Sequence, residues 1–215
     1  LLKKYTSRYI CVSKAVRDNL IENHSIPSEK SDVIYGFIPH ISITGMKRQK
    51  AKITLSRELH IPEDSIIVGA CGVSSWLKGP DLFVQLAKSV LRKLPSLKIH
   101  FVWLGSYQYY PMHNELLYDI NKLELKKNIH FIGHRSNSMD YLAAFDVFVT
   151  TSREDSFPLV CLEAASLSIP IICFDGAGGA KEFVKNDCGY VVPYLDISTM
   201  SEKIIELINS PGKRE

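Results

Sequence analysis

No apolar run in this sequence is longer than a strand, so nothing in it is expected to span a membrane. No C-x-x-C pair occurs among its 5 cysteines, Cys11, Cys71, Cys161, Cys173 and Cys188, and most of them sit inside apolar runs. They read as buried free thiols of a reducing compartment, not as a disulfide frame or a zinc site. The 7 histidines are scattered, with no H-E-x-x-H or similar ligand spacing, so no metal site is expected. No dense Lys/Arg block stands out, and a formal net charge of +3 is too mild to imply nucleic acid. The chain opens on LLKKYTSRYICVS, with neither Met nor a signal-peptide pattern, and reads as part of something longer.

Two nucleotide motifs are also missing. A dinucleotide-binding fold would carry G-x-G-x-x-G after its first strand, but GACGVSSWLKG has the wrong spacing. The next strand ends at Gly105 with no acid to hold a ribose, which disfavours NAD. No Walker A sequence occurs, which excludes a P-loop NTPase.

What is present is a sustained alternation. From SIIVGACG at 65–72 onward, short apolar runs alternate with helical patterns. In PDLFVQLAKSVLRKLP, for example, Leu82, Phe83, Leu86, Val90 and Leu94 recur at helical spacing. The strands LKIHFVWLG, NIHFIGH, DVFVTTS, PIICFDG and GYVVP are apolar on both faces, as buried parallel strands must be. Right-handed crossovers then give an α/β, doubly wound, Rossmann-like parallel sheet of about six strands with helices on both faces. We expect three segments: residues 1–38 as a strand–helix–strand tail of a preceding domain, 39–64 as a polar linker and entry, and 65–215 as the second domain.

Ligands of such sheets bind beyond the carboxyl ends of the strands. The segments there are GVSSWLKG, GSYQYY, GHRSNS, TSREDSFP and DGAGGA. Lys78 can place a point charge on a phosphate, or it can be a solvated surface lysine. The stretch EDSFPLVCLEA puts Asp155 before a helix start and Glu163 near its second turn, with Pro158 as a tolerated first-turn proline. That helix start favours an anion, and a carboxylate beside it suits sugar hydroxyls. Asp155 can equally be favourable charge at a helix start. Glu163 lies among Leu159, Val160 and Leu162, where a carboxylate usually needs a partner. GAGGA is either a second anion-accepting helix start or a flexible turn.

Taken together, KGPDLFV, FIGHRSN, AAFDVFVTTSREDSFPLVCLEAASLSIPII and GYVVP resemble the C-terminal, donor-binding domain of a GT-B glycosyltransferase. The type is the retaining GT4 family (glycosyltransferases group 1). The family's glutamate–seven residues–glutamate motif falls on Asp155 and Glu163. The resemblance implies a nucleotide-diphosphate sugar, on UDP or GDP, as donor. Glu163 would hold the ribose and Asp155 the sugar, with Lys78 on the diphosphate. Backbone around Ser156, Phe157, Pro158, Leu159 and Val160 would meet sugar or phosphate. Gly72 and Val73 would line the donor, His134 and Arg135 would border the base, and Gly178 and Gly179 would close the other side. No cofactor or metal is implied. The family's arginine after the first strand is absent from GVSSWL, which leaves the phosphate to Lys78, to Arg153, or to a residue outside the chain. The acceptor, a carbohydrate or lipid-linked glycan in polysaccharide or lipopolysaccharide biosynthesis, would bind through the missing N-terminal domain. The full protein would be cytoplasmic, with peripheral contact to the inner membrane face left open. This chain, ending before the family's last helices, would be inactive alone. A sugar-nucleotide epimerase, a sugar phosphorylase or a non-catalytic nucleotide-binding module on the same fold remain as alternatives.

Overall fold

A computed structural model describes residues 2–39, 45–106, 112–185, 187–210 and 212. Most of the loop GSYQYY, expected beside the site, lies outside them. The first segment is a small unit: strand β1 (Tyr9–Cys11), helix α1 (Lys14–His24) and strand β2 (Ser31–Val33), with β1 and β2 paired in parallel. Strand β2 is shorter than SDVIYGFI suggests, because the chain leaves the pairing after Ile34 donates its N–H to Cys11.

Helix α2 (Gly45–Leu59) follows, within the stretch that reads as a polar linker. The difference has a physical reason. Its apolar stripe is only Ala51, Leu55 and Leu59, one residue per turn among lysines and arginines, yet Leu55 is fully buried and the other two pack beside it. Polar tethers do the rest. Arg48 donates to the Phe145 carbonyl (3.1 Å), and Lys52 binds both Asp146 oxygens (2.9 and 2.7 Å).

The main sheet follows the expected alternation: β3 (Ile66–Cys71), α3 (Pro80–Lys93), β4 (Ile99–Leu104), α4 (His113–Lys122), β5 (Ile129–Gly133), α5 (Ser138–Leu142), β6 (Val147–Thr150), α6 (Leu159–Ser166), β7 (Ile171–Phe174), α7 (Ala180–Val184), β8 (Gly189–Val192) and α8 (Ile197–Asn209). The six strands are parallel in the order β5-β4-β3-β6-β7-β8. Alternate strand residues face opposite ways, which divides the core in two. Val68, Phe101, Val149 and Phe174 pack against α3, α4 and α8. Ile67, Val102, Phe148 and Cys173 pack against α2, α5, α6 and α7. Gly69 is obligatory in β3, because a Cβ there would lie 1.9 Å from the Phe145 ring. The 5 cysteines are free thiols. Among the described residues no helix is long and apolar enough to cross a membrane.

This order has one consequence for function. From β3 the chain winds outward through β4 and β5, then returns to the other side of β3 with β6. The loops after β3 and β6 therefore diverge, opening the crevice in which doubly wound sheets hold ligands.

Asp146 joins three elements, since it also accepts the Ile67 N–H (2.8 Å) while holding Lys52, and its side chain is mostly buried. Asp146→Ala leaves a buried amide and an ammonium without this acceptor. We expect a loss of about 2–4 kcal/mol in urea unfolding. A loss below about 0.5 kcal/mol would show that the tether behaves as a solvated surface pair.

Candidate functional site

The crevice is built from glycine positions and short contacts between loops. Strand β3 runs into Gly72, whose N–H bonds the Leu104 carbonyl and whose carbonyl accepts the Trp103 indole N–H (2.9 Å each). A single turn, Trp76–Lys78, follows and is closed by Gly79 at φ +67. A Cβ on Gly79 would lie 2.1 Å from the Thr151 carbonyl oxygen. The Thr151 hydroxyl donates to the Gly79 carbonyl (2.9 Å), and the Arg153 N–H donates to Leu77 (2.7 Å). The lysine loop is thus fastened to the end of β6.

On the other side the glycine loop after β7 lies directly on the loop after β6. Asp155 donates its N–H to Ala177 (2.7 Å) and accepts that of Gly179 (3.1 Å) on its carbonyl. Gly178, at φ +116, has no room for a Cβ, which would lie 2.0 Å from the Asp155 carbonyl oxygen. Asp155 is held by its backbone on this side, and its carboxylate turns to the other, where Lys78 Nζ bonds Oδ2. Both side chains are largely shielded, 29% and 14% exposed, so this pair is screened less than a surface one.

Glu163 stands apart from that pair. It sits one turn into α6, half-buried, and burial raises its carboxyl above the ordinary value. Among the described residues its carboxylate has no hydrogen-bond or ion-pair partner. Glu163 and Lys78 both act on the Cys71 thiol, which burial, then Glu163, push up to about 11 against the opposing pull of Lys78. The Cys71 thiol therefore lies within the fields of both charges. Pro158 is the N-cap of α6 rather than a residue of its first turn, and among the described residues no side chain caps that end. The exposed Leu159 and half-buried Val160 are its first two residues, whose N–H groups have no partner within the helix.

A cleft of about 750 Å³ lies over the loops after β6 and β7, lined by Arg153, Asp155, Ser156, Gly178, Lys181 and Tyr194 on one side and by α1, with Lys14, on the other; Gly72, Val73, Lys78 and Glu163 are not part of this lining. The first segment therefore contributes a wall. Tyr35 packs its ring on Phe157 (centroids 5.4 Å apart), and a Cβ on Gly36 would lie 2.7 Å from Leu159 Cδ2. Val73 is exposed at the edge of the lysine loop.

Two arginines singled out in the sequence are held in ion pairs. Arg153 is committed to structure: it forks onto both Asp81 oxygens (2.9 and 2.7 Å), donates to the Trp76 carbonyl (2.8 Å) and stacks on the Trp76 ring. Arg135, beyond edge strand β5, donates to Glu58 of α2 (2.6 Å) and to the Tyr141 hydroxyl (3.1 Å), and it does not line this cleft. Sequence reading missed Glu58, Asp81 and Tyr141 as the groups that hold these arginines. It also missed Glu182, whose acceptors meet residues of α1 some 167 positions away.

The profile of one family matches residues 51–215: Glycosyl transferases group 1. The chain belongs to this family. Among curated relatives, the capsular polysaccharide biosynthesis glycosyltransferase CapM of Staphylococcus aureus is 25% identical over 207 residues, 96% of this chain and 53% of that protein. The O-antigen biosynthesis glycosyltransferase WclY of Escherichia coli is 30% identical over 147 residues, 68% of this chain and 38% of that protein. The chain thus spans about half, or less, of these relatives. A solved structure, Anabaena HepE in complex with UDP and glucose, superposes with TM-score 0.85 at 21% identity, covering 99% of this chain and 56% of that one. That likeness establishes the GT-B-type fold.

The raised Glu163 carboxyl has a stability consequence. Its folded value lies above its unfolded one, so any penalty is absent below the ordinary glutamate range and complete above the raised value. We expect Glu163→Gln to raise the melting temperature by about 1–3 °C at pH 8, the gain shrinking towards zero near about pH 4. A variant that melts below the parent at pH 8 would overturn this reading of the residue.

Proposed function

We propose that this chain is the donor-binding part of a retaining glycosyltransferase of the GT4 type. It takes a nucleotide-diphosphate sugar and serves transfer to a carbohydrate or lipid-linked acceptor in the assembly of a surface polysaccharide or lipopolysaccharide. The observation that carries the reading is the arrangement at the crevice: an ammonium at the open end of the sheet, a carboxylate bonded to it, and a second, half-buried carboxylate with no partner. A group buried without a partner is costly unless a ligand supplies one. The hydroxyls of a ribose are suitable donors for Glu163. The relatives named above are glycosyltransferases of capsular polysaccharide and O-antigen biosynthesis, and HepE was solved with UDP and glucose.

The chemistry follows from charge. When the bond between the sugar and the diphosphate breaks, its electron pair goes to the leaving phosphate oxygen. Lys78, with the N–H groups at the start of α6, meets that charge where it grows. In this reading Lys78, not a metal ion, supplies the cation. Asp155 orients Lys78 and accepts from sugar hydroxyls. Gly72 and Val73 border the phosphates, while the backbone of Ser156 to Val160 and of Gly178 and Gly179 encloses the sugar. The reading places the full protein in the cytoplasm, in peripheral contact with the inner membrane face through the part outside this chain.

Calorimetric titration of the chain with UDP, GDP and ADP tests the donor site. We expect selective binding of one diphosphate, weakened about tenfold or more by Lys78→Ala and by Glu163→Ala. Undiminished binding by Lys78→Ala would remove the phosphate from Lys78. Undiminished binding by Glu163→Ala would remove the ribose from Glu163.

A further inference from the structure

We propose that Glu182 is a positioning residue, a clamp that joins the two walls of the cleft. It lies in α7, three residues after Gly179, and its carboxylate points across to the first segment. There Lys14 and Ala15 donate their backbone N–H groups to it (3.0 and 2.9 Å), and Tyr35 donates its hydroxyl (2.8 Å). One carboxylate thus supplies acceptors to the first turn of α1 and to the segment after β2.

The geometry is more than an ordinary helix cap. Helix α1 already has its own: Ser13 accepts the Val16 N–H (3.2 Å). Glu182 takes the two N–H groups that Ser13 does not reach, and it takes them from another part of the fold. Burial alone would raise the Glu182 carboxyl, but the Ala15 and Lys14 amides and the Tyr35 hydroxyl hold it below its ordinary value. The contact also seats its neighbours. A Cβ on Gly179 would lie 2.8 Å from that of Ser13, so α1's entry and the glycine loop touch with no side chain between them. Tyr35, bonded to Glu182, packs on Phe157 just ahead of α6.

The clamp has two effects. It fixes the glycine loop, and through it the backbone of Asp155. It also holds α1 so that Lys14 lines the cleft opposite Asp155, with an ammonium that forms no hydrogen bond or ion pair among the described residues. Without Glu182, both walls lose the same anchor. The consequence for donor binding rests on the reading above; the joining of the walls does not.

Amide hydrogen exchange on the whole chain separates a clamp from a local cap. Ser13→Ala removes only α1's own cap, so exchange should quicken at 14–16 and nowhere else. Glu182→Ala should quicken exchange about tenfold at 14–16 and also at 177–180, with Glu182→Gln intermediate because it keeps one acceptor oxygen. Quickening confined to 14–16, or none at either place, overturns the clamp. Far-UV circular dichroism checks that each variant is folded, and Glu182→Gln decides the matter if Glu182→Ala is not. In parallel, UDP binding by Glu182→Ala should weaken about fivefold. Unchanged binding by a variant with both walls loosened would leave a clamp without a role in donor binding, and would overturn its assignment as a positioning residue. A parent chain that binds no UDP, GDP or ADP defeats the nucleotide reading, while the exchange result still decides the clamp.

Discussion

The site depends on backbone lying against backbone where the glycine loop meets Asp155. Two hydrogen bonds, from Asp155 to Ala177 and from Gly179 to Asp155, make a short parallel bridge between loops that follow neighbouring strands. Such a bridge exists only because Gly178 and Gly179 have no side chains: a Cβ on either would collide with the backbone of residues 155 or 156. The bridge fixes Asp155 from one side, which leaves its carboxylate free to hold Lys78 on the other. The acid can present its charge because its main chain carries the attachment.

Charge then sorts itself by partner. Arg153 and Asp81, Arg135 and Glu58, Lys52 and Asp146, and Lys181 and Asp175 are all paired, and each pair fastens one loop or helix to another. Arg153 shows how complete this is, with its fork filled by one carboxylate and its face laid on Trp76. Against that background Glu163 differs, being half-buried with no partner among the described residues. Glu154 and Asp18, which line the cleft without a partner among the described residues, are exposed to water, whereas the half-buried Glu163 keeps a cost that a ligand can relieve.

The fold was largely legible because its signals are strong and local. The strand–helix–strand order expected over 1–38 is present as β1, α1 and β2, and the main strands fall inside the apolar runs that suggested them. Helix α2 was not legible, since its buried face is three residues wide and its remaining support comes from Arg48 and Lys52 reaching distant acceptors. At the site, Lys78, Asp155 and Gly178 are brought together, because their loops flank the point where strand order reverses or lie next to it. The roles of Arg153 and Arg135 were not legible: an arginine's availability depends on which acids are near it in space, and Asp81 lies 72 residues from Arg153 and Glu58 77 from Arg135. For the same reason Glu182 reads in sequence as favourable charge in a helix's first turn.

The pairing of Lys78 with Asp155 bears on how an anion could enter. An ammonium already bonded to a carboxylate would have to release it, or share its three donors, to meet a phosphate. Sharing is the less costly course here. The Asp155 main chain is fixed and its side chain is short, whereas Lys78 has a flexible stem and, among the described residues, a single hydrogen bond at its ammonium. A phosphate beside Lys78 would also stand near the carboxylate of Asp155, an unfavourable neighbour unless sugar hydroxyls lie between them as donors to that acid. Bare phosphate offers no such hydroxyls, and a nucleoside diphosphate without its sugar leaves Asp155 facing the anion. On the donor reading proposed above, the same two residues would favour a ligand that carries negative charge and hydroxyls a few ångströms apart, which is the chemistry of a sugar joined to a diphosphate.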